Sequence, residues 1–139
     1  MTAEENKAIA RYYLDEVWNK GNLAVIDELI PVDFVQHIGM VQQGREGVKR
    51  FFQMIHGAFP DARFTVEDMV GEGDRVVWRF TITATHQGPF QGLPPTGKQI
   101  TMTGMNIVRM VDGKFAENWG EQDNLGLLQQ LGAIPSPGQ

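Results

Sequence analysis

The sequence contains no cysteine, so disulfide frameworks, thiolate zinc sites and cysteine nucleophiles are excluded for this chain. It also lacks an excess of positive charge. Its 12 Lys and Arg residues stand against 17 Asp and Glu residues, which gives a net charge of −5 and a pI near 5.1. The basic surface that nucleic acids and anionic membranes require is therefore missing, and we expect neither as a partner.

Long apolar runs are absent as well. No stretch approaches the roughly 20 apolar residues of a membrane-spanning helix, and the polar, acidic N-terminus has no signal core. Phosphate-binding loops, dinucleotide fingerprints and the GxSxG nucleophile motif are missing too. The three histidines do not follow HxH or HExxH spacing. We therefore expect a cytoplasmic protein, and the residues alone give a metal site no positive support.

What the chain does contain predicts one domain over residues 1–139, since 139 residues with 42% hydrophobic content can form one core. The first half has helical periodicity. The spacing of Thr2 and Glu5 is that of a capping box, and Asn22 is a candidate cap for the second helix. The predicted helices cover residues 2–20, 23–30 and 45–59, with a short extended piece at 33–38.

The second half changes to the alternating pattern of strands. Asp112-Gly113 is a strong hairpin-turn signal between two of them. We predict strands over residues 63–70, 75–86, 99–111 and 114–122, a Gly- and Pro-rich loop over 87–98, a helix over 125–131 and a flexible tail over 133–139. Helices followed by hairpin-linked strands indicate an α+β fold, in which a curved, mostly antiparallel sheet wraps around the N-terminal helices. The resulting cone-shaped α+β barrel has a ligand-sized interior.

The last strand raises the question of function. Phe115, Glu117, Trp119, Glu121 and Asp123 alternate onto one face, which we expect to point inward, although twist or a bulge near Gly120 leaves Glu117 and Glu121 open. A desolvated Asp123 beside Trp119 is a candidate general acid/base. The same residue is also a good N-cap for the helix that follows, and spacing alone favours the cap. The residues leave both roles open.

Other candidates come from residue type and position. Asn106 shares a strand face with Met102, and a polar amide among apolar neighbours needs a partner or a ligand. His37 and His86 lie in or beside extended segments and could point into the cone, whereas His56 is expected at the surface. Core packing explains most of the aromatic and methionine residues. Those expected to line a substrate pocket are Trp78, Phe80, His86, Phe90, Met102 and Trp119.

Three segments carry a resemblance: ATHQGPFQGLPPTGK at residues 84–98, DGKFAENW at 112–119, followed by Asp123, and LQQLG at 128–132. With the opening Tyr12-Tyr13 and Asp33-Phe34 segments, they make the chain resemble the SnoaL-like polyketide cyclase (ester cyclase) family. The resemblance implies the cone-shaped fold shared with nuclear transport factor 2 and ketosteroid isomerase. It also implies ring closure without cofactor or metal, with an aspartate on the last strand as acid/base.

Asp123 matches that aspartate, so the resemblance favours the catalytic role over the cap. His37 corresponds to a pocket histidine in the first half of the family's chain. Asn106 stands where characterised cyclases have a second histidine, which leaves the natural substrate open.

The expected function is cofactor-free removal of a proton α to a carbonyl of a small, mostly apolar compound, followed by intramolecular aldol condensation. His37, Asn106 or His86 would bind the enolate oxygen. The alternatives are an isomerase, dehydratase or hydrolase on the same fold, or a non-catalytic module for ligand binding or dimerisation. An apolar outer sheet face predicts a homo-oligomer, a dimer or a tetramer.

Overall fold

The computed structural model describes residues 1–38 and 43–135, so Met40 and the end of the predicted tail lie outside the described residues. The helices are α1 Ala3–Leu14, α2 Ala24–Leu29, α3 Gly44–Ala58 and α4 Asn124–Leu131, and a π-helical turn, Asp15–Asn19, extends α1. The strands are β1 Val35–His37, β2 Arg63–Glu72, β3 Arg75–Thr85, β4 Gln99–Val111 and β5 Lys114–Gln122. The α+β class is confirmed.

Helix starts follow the sequence signals in one case and depart from them in another. The Thr2 hydroxyl accepts from the Glu5 N–H at 3.1 Å, and the Thr2 N–H donates to the Glu5 carboxylate at 3.4 Å, so the capping box at α1 is confirmed. The predicted cap of α2 by Asn22 is wrong. The helix starts after Leu23 without a side-chain cap, and the Asn22 amide donates to the Glu16 carboxylate instead.

The five strands form one sheet in the order β1-β5-β4-β3-β2. β1 runs parallel to β5 and the other neighbours are antiparallel. The alternation on β3 is as predicted: Val76, Trp78, Phe80, Ile82 and Ala84 are buried on the inner face, which packs against α1 and α3. The opposite side of the sheet, the outer face, carries Arg75, Met105, Ile107, Glu117 and Trp119.

Side-chain amides complete the sheet where strand neighbours are missing. Gln43, just before α3, accepts from the Gln36 N–H and donates to the Gln36 carbonyl, both at 2.8 Å. Gln130 of α4 does the same for the backbone of Thr101 in β4, again with both distances at 2.8 Å. Each amide substitutes for a strand neighbour and satisfies backbone groups that would otherwise lack partners. The Gln43 pair holds β1 in place and so orients the Gln36 side chain.

A β-bulge in β5 changes which side chains face the interior. Arg109 pairs with Glu117 and Met110 with Phe115, so Ala116 is an extra residue in the strand. Since an extra residue reverses the alternation beyond it, Phe115 and Asn118 are both buried, whereas Glu117 and Trp119 are not. The prediction that Trp119 faces inward with Phe115 is therefore wrong. Glu117 and Glu121, which the sequence left open, lie on the outer face.

Among the described helices, none has the length and apolar character that a membrane span requires.

Candidate functional site

A largely apolar cavity of about 70 Å³ lies between the inner face of the sheet and helices α1 and α3. Aromatic side chains dominate its wall. The lining residues from the helices and β1 include Tyr13, Trp18, Gln36, Phe51 and Phe52, and those from the later strands include Trp78, Phe80, Asn106, Asn118 and Gln122. The volume is below the ~150 Å³ in which an engineered cavity holds benzene. A ring-bearing ligand therefore requires wall side chains to move, and Phe51 is a partly exposed member of the wall.

A chain of three amides crosses the inner face beside this cavity. The Asn106 Nδ2 donates to the Asn118 Oδ1 at 3.0 Å, and the Asn118 Nδ2 donates to the Gln36 Oε1 at 3.3 Å. Each of the three residues is only 8% exposed. They come from β4, β5 and β1, so the order of strands in the sheet brings them together. Buried amides must be paired, and the chain pairs them while keeping every member uncharged.

Gly120 makes room for this chain. It lies opposite Asn106 across the β4–β5 pair, and a Cβ at this position would come 2.7 Å from the Asn106 Nδ2 and 2.8 Å from the Ile38 Cδ1. Contacts this short do not occur for real Cβ atoms. A side chain here would therefore displace the ends of the Asn106 and Ile38 side chains, and glycine leaves the amide chain its room.

Two further neutral donors belong to the cavity wall. Tyr13 is 8% exposed, and burial raises the pKa of its phenol, so the hydroxyl stays protonated. Trp78 is 4% exposed, and its Nε1 has no hydrogen-bond acceptor in the part of the chain that the structure describes. The wall thus offers amide, phenol and indole groups to a ligand, all of them uncharged.

The residues predicted for the pocket divide into two groups. Trp78, Phe80 and Asn106 line the cavity as expected. Phe90 and Met102 are buried in the core but are not part of the cavity wall, and Trp119 is on the outer face because of the bulge.

His86 is fully buried but is used inside the fold. Its Nδ1 accepts from the Thr96 N–H at 3.2 Å and lies 3.0 Å from the Thr96 hydroxyl. Its backbone also bonds both Lys98 and Gly97. Because Nδ1 accepts a backbone N–H, the ring proton lies on Nε2. His86 anchors the loop over residues 87–98 and does not reach the cavity, so its predicted contact with the substrate is not supported.

His37 lies on the outer face. Its Nε2 is 2.6 Å from the Glu117 Oε2, and its ring stacks on Trp119 with centroids 5.2 Å apart. The hydrogen bond from His37, followed by that from Arg109, lowers the pKa of Glu117, with partial burial opposing the shift. A catalytic role for His37 stays a prediction, and this geometry does not support it, since the strand alternation turns His37 away from Gln36 and the cavity.

Asp123 follows Gln122, a cavity residue, at the end of β5. Its carboxylate accepts from the Gly126 N–H at 2.9 Å, so it is the N-cap of α4, and the residue is exposed. The cap, one of the two roles that the sequence left open, is therefore present, and the expected desolvation beside Trp119 is not found. The catalytic role stays a prediction, because Asp123 is not among the residues that line the cavity and only follows one of them in sequence.

Sequence reasoning missed Gln36, Asn118 and Tyr13. The alternation of Phe34, Gln36 and Ile38 already placed Gln36 among apolar neighbours and could have identified it. The inward position of Asn118 follows from the bulge in β5, and no residue type in the hairpin indicates that bulge. Metal coordination gains no support, since no cluster of three or more His, Asp or Glu side chains suited to a metal occurs among residues 1–38 and 43–135.

Comparison with known proteins shows close similarity over nearly the whole chain. The family model described as SnoaL-like polyketide cyclase matches residues 8–131. The nogalonic acid methyl ester cyclase of Streptomyces nogalater is 27% identical over 121 residues, which cover 83% of this chain and 89% of that protein.

Solved structures show the same similarity in three dimensions. TsrD from Streptomyces laurentii is 28% identical and has a TM-score of 0.87, covering 96% of this chain and 99% of its own. IdmH from Streptomyces antibioticus is 35% identical and has a TM-score of 0.77, covering 95% of this chain and 99% of its own.

Proposed function

The chain belongs to the SnoaL-like polyketide cyclase family, and we propose that it is a cofactor-independent enzyme that cyclises a small, uncharged, mostly apolar carbonyl compound by intramolecular aldol condensation. The observation that carries the proposal is the apolar cavity with the Asn106 amide held in its wall. A neutral donor in a water-poor site stabilises an oxygen on which negative charge develops.

In this proposal Asp123 removes the proton α to the substrate carbonyl. The electron pair moves onto the carbonyl oxygen, which receives a hydrogen bond from Asn106. The α carbon then attacks a second carbonyl of the same molecule, and protonated Asp123 returns the proton to the new alkoxide, so that mass is conserved. Tethering the two reacting groups supplies a large effective concentration.

Asp123 must first give up its bond to the Gly126 N–H, because a carboxylate that accepts backbone hydrogen bonds is a weak base. Rotation of its side chain about the end of β5 would bring the carboxylate towards the space beside Gln122. The proposal therefore places the reacting carbon at the rim of the cavity and the apolar body of the substrate inside it.

The outer face supports a second element of the proposal, a homodimer. Val35, Met105, Ile107 and Val111 are between 40% and 52% exposed there. Arg75, Arg109 and Glu117 add both signs of charge to the same face, so it can pair with a copy of itself. A two-fold interface buries the same patch on both subunits, which fits a face of mixed apolar and oppositely charged residues.

The Asp123→Asn variant tests the mechanism, because asparagine also caps helices and leaves α4 supported while removing the base. We expect turnover to fall by about 10²- to 10⁴-fold with an unchanged circular dichroism spectrum. Ring closure is assayed on nogalonic acid methyl ester, the compound named for the Streptomyces nogalater relative. Proton removal is followed independently as deuterium uptake from D₂O by cyclopentanone.

The matched control is Asp27→Asn, which alters an exposed aspartate of α2 that is ion-paired with Lys49 of α3. Full activity in Asp123→Asn would contradict the assignment of the base. Loss of water from the product would favour a dehydratase, and unchanged mass without consumption of a ketone would favour an isomerase. Binding of both compounds without turnover or exchange would favour the non-catalytic module.

A further inference from the structure

Trp78 carries a buried donor for which the described residues supply no acceptor. The described residues contain three buried side-chain N or O atoms without a hydrogen-bond partner: Asn6 Oδ1, Trp78 Nε1 and His86 Nε2. Of these three residues, Trp78 is the one that belongs to the cavity wall. Burying an indole N–H without a partner costs stability, so a group from outside the chain that accepts its hydrogen bond gains more than it would from water-exposed donors.

The surroundings of Trp78 restrict what that group can be. Asn106 is its direct partner across the β3–β4 pair, but the Trp78 Nε1 donates neither to Asn106 nor to any other described residue. The described residues of the wall include no Asp, Glu, Lys, Arg or His. A carboxylate or phosphate would be buried there without a compensating charge, which is strongly unfavourable. A ketone or ester carbonyl meets the requirement of an uncharged acceptor.

We propose that the indole N–H of Trp78 is a specificity-determining donor that selects ligands with an uncharged carbonyl oxygen over ligands of the same shape without one. The proposal deepens the proposed function, since it takes the cavity as the binding site for the carbonyl. It concerns recognition and requires no turnover. The donor is buried without an acceptor among the described residues, and a carbonyl oxygen of the ligand would supply one.

The test uses two probes of nearly equal shape, cyclopentanone and methylenecyclopentane, which differ in having C=O or C=CH₂. The chain has three tryptophans, so an ¹⁵N-labelled sample gives three indole resonances, and the Trp78→Phe variant identifies one of them. We expect cyclopentanone to move the Trp78 indole proton downfield, as a new hydrogen bond does. Methylenecyclopentane should leave the Trp78 indole proton nearly unmoved.

Affinity provides the second measurement. We expect the wild type to prefer the ketone over the alkene by about three- to tenfold, the range that one net hydrogen bond gives, and Trp78→Phe to lose that preference while still binding both probes. Trp119→Phe is the matched control, because it makes the same chemical change on the outer face and should keep the preference.

Two results would overturn the inference: a Trp78 indole resonance that does not respond to cyclopentanone, or a preference for the ketone that persists in Trp78→Phe. Its failure is distinguishable from failure of the proposed function. Selective binding of the ketone with no deuterium exchange would leave Trp78 as the recognition group of a binding protein. Deuterium exchange that continues unchanged in Trp78→Phe would support the proposed enzyme activity and show that it does not need this contact.

Discussion

The two faces of the sheet are built from the same strands but carry opposite chemistry. On the inner face the buried polar side chains include the amides of Gln36, Asn106 and Asn118, which are linked to one another and largely closed off from water. On the outer face they are charged or ionisable groups, with Glu117 bonded to both His37 and Arg109 and partly exposed. Hydrogen bonds between neutral groups therefore hold the interior, and ion pairs lie where solvent screens them.

The difference shows where each face is sensitive to change. Breaking one buried hydrogen bond leaves two polar groups without partners in an apolar region. Breaking an exposed ion pair returns both charges to water. It also shows that an acid/base group for the cavity has to come from outside its described wall, as the proposed base Asp123, next to the wall residue Gln122, would. In the proposed function the wall binds and orients the carbonyl, and its described residues hold no carboxylate or imidazole that could take the proton.

The largest expected effect comes from placing a charge on the outer face. Ile107 is 40% exposed and lies between Val77 and Trp119. If this face is the dimer interface, Ile107→Lys places two like charges near the two-fold axis, at a cost of several kcal/mol. We expect a monomer with native circular dichroism, measured by light scattering after size exclusion. The exposed Thr83→Lys, further along the sheet on β3, is the control and should remain dimeric. A dimer that survives Ile107→Lys would place the interface elsewhere.

The next effect comes from the inner face. Asn118 is the middle of the amide chain, so Asn118→Leu leaves the Asn106 Nδ2 and the Gln36 Oε1 without their partner. We expect a loss of about 2–4 kcal/mol in the free energy of unfolding, from two buried polar groups left unpaired. Urea denaturation measures it. Asn22→Leu, an exposed position, should change the same quantity by less than about 0.5 kcal/mol. An equal effect at both positions would mean that the amide chain does not stabilise the interior.

How well the sequence predicted these faces depended on the regularity of each strand. In β3 the alternation is unbroken from Val76 to Ala84, and every inner residue was assigned correctly from period alone. The bounds of β4 and β5 were predicted as observed, because Asp112-Gly113 fixes the turn between them. Local signals of this kind are contained in the sequence itself.

The candidate site was harder to predict because it depends on relations between distant segments. The extra residue at Ala116 reverses the faces of β5, which moved Trp119 out of the pocket and Asn118 into it. Gln36 and His37 obtain their β5 partners because β1 joins the sheet beside β5. Glu117, the partner of His37, is 80 positions away in the sequence. For Asp123 the residue type suited both a cap and a base, and the structure shows the cap.

The smallest expected effect concerns the ion pairs of the outer face and their dependence on pH. The pKa of Glu117 lies below its ordinary value of 4.5, chiefly because His37 hydrogen-bonds to the carboxylate, with Arg109 contributing as well. A carboxylate with a lowered pKa binds its proton more weakly in the folded state than in the unfolded state. Its stabilising contribution is therefore fully present above pH 4.5 and is lost as the pH falls through the folded-state pKa.

The Glu117→Gln variant removes this titration. Between about pH 6 and pH 3 the urea concentration at the unfolding midpoint should fall further for the wild type than for the variant. At higher pH the two curves of midpoint against pH should run parallel. Glu67→Gln, at an exposed position on β2, should follow the wild type throughout. Because Glu117 is close to solvent, the difference should also shrink in about 1 M salt, unlike the loss caused by Asn118→Leu, which involves no charge. Parallel profiles at low pH would mean that Glu117 gains no stabilisation from His37 and Arg109. A difference that salt does not reduce would mean that the outer-face pair is as shielded from water as the amides inside.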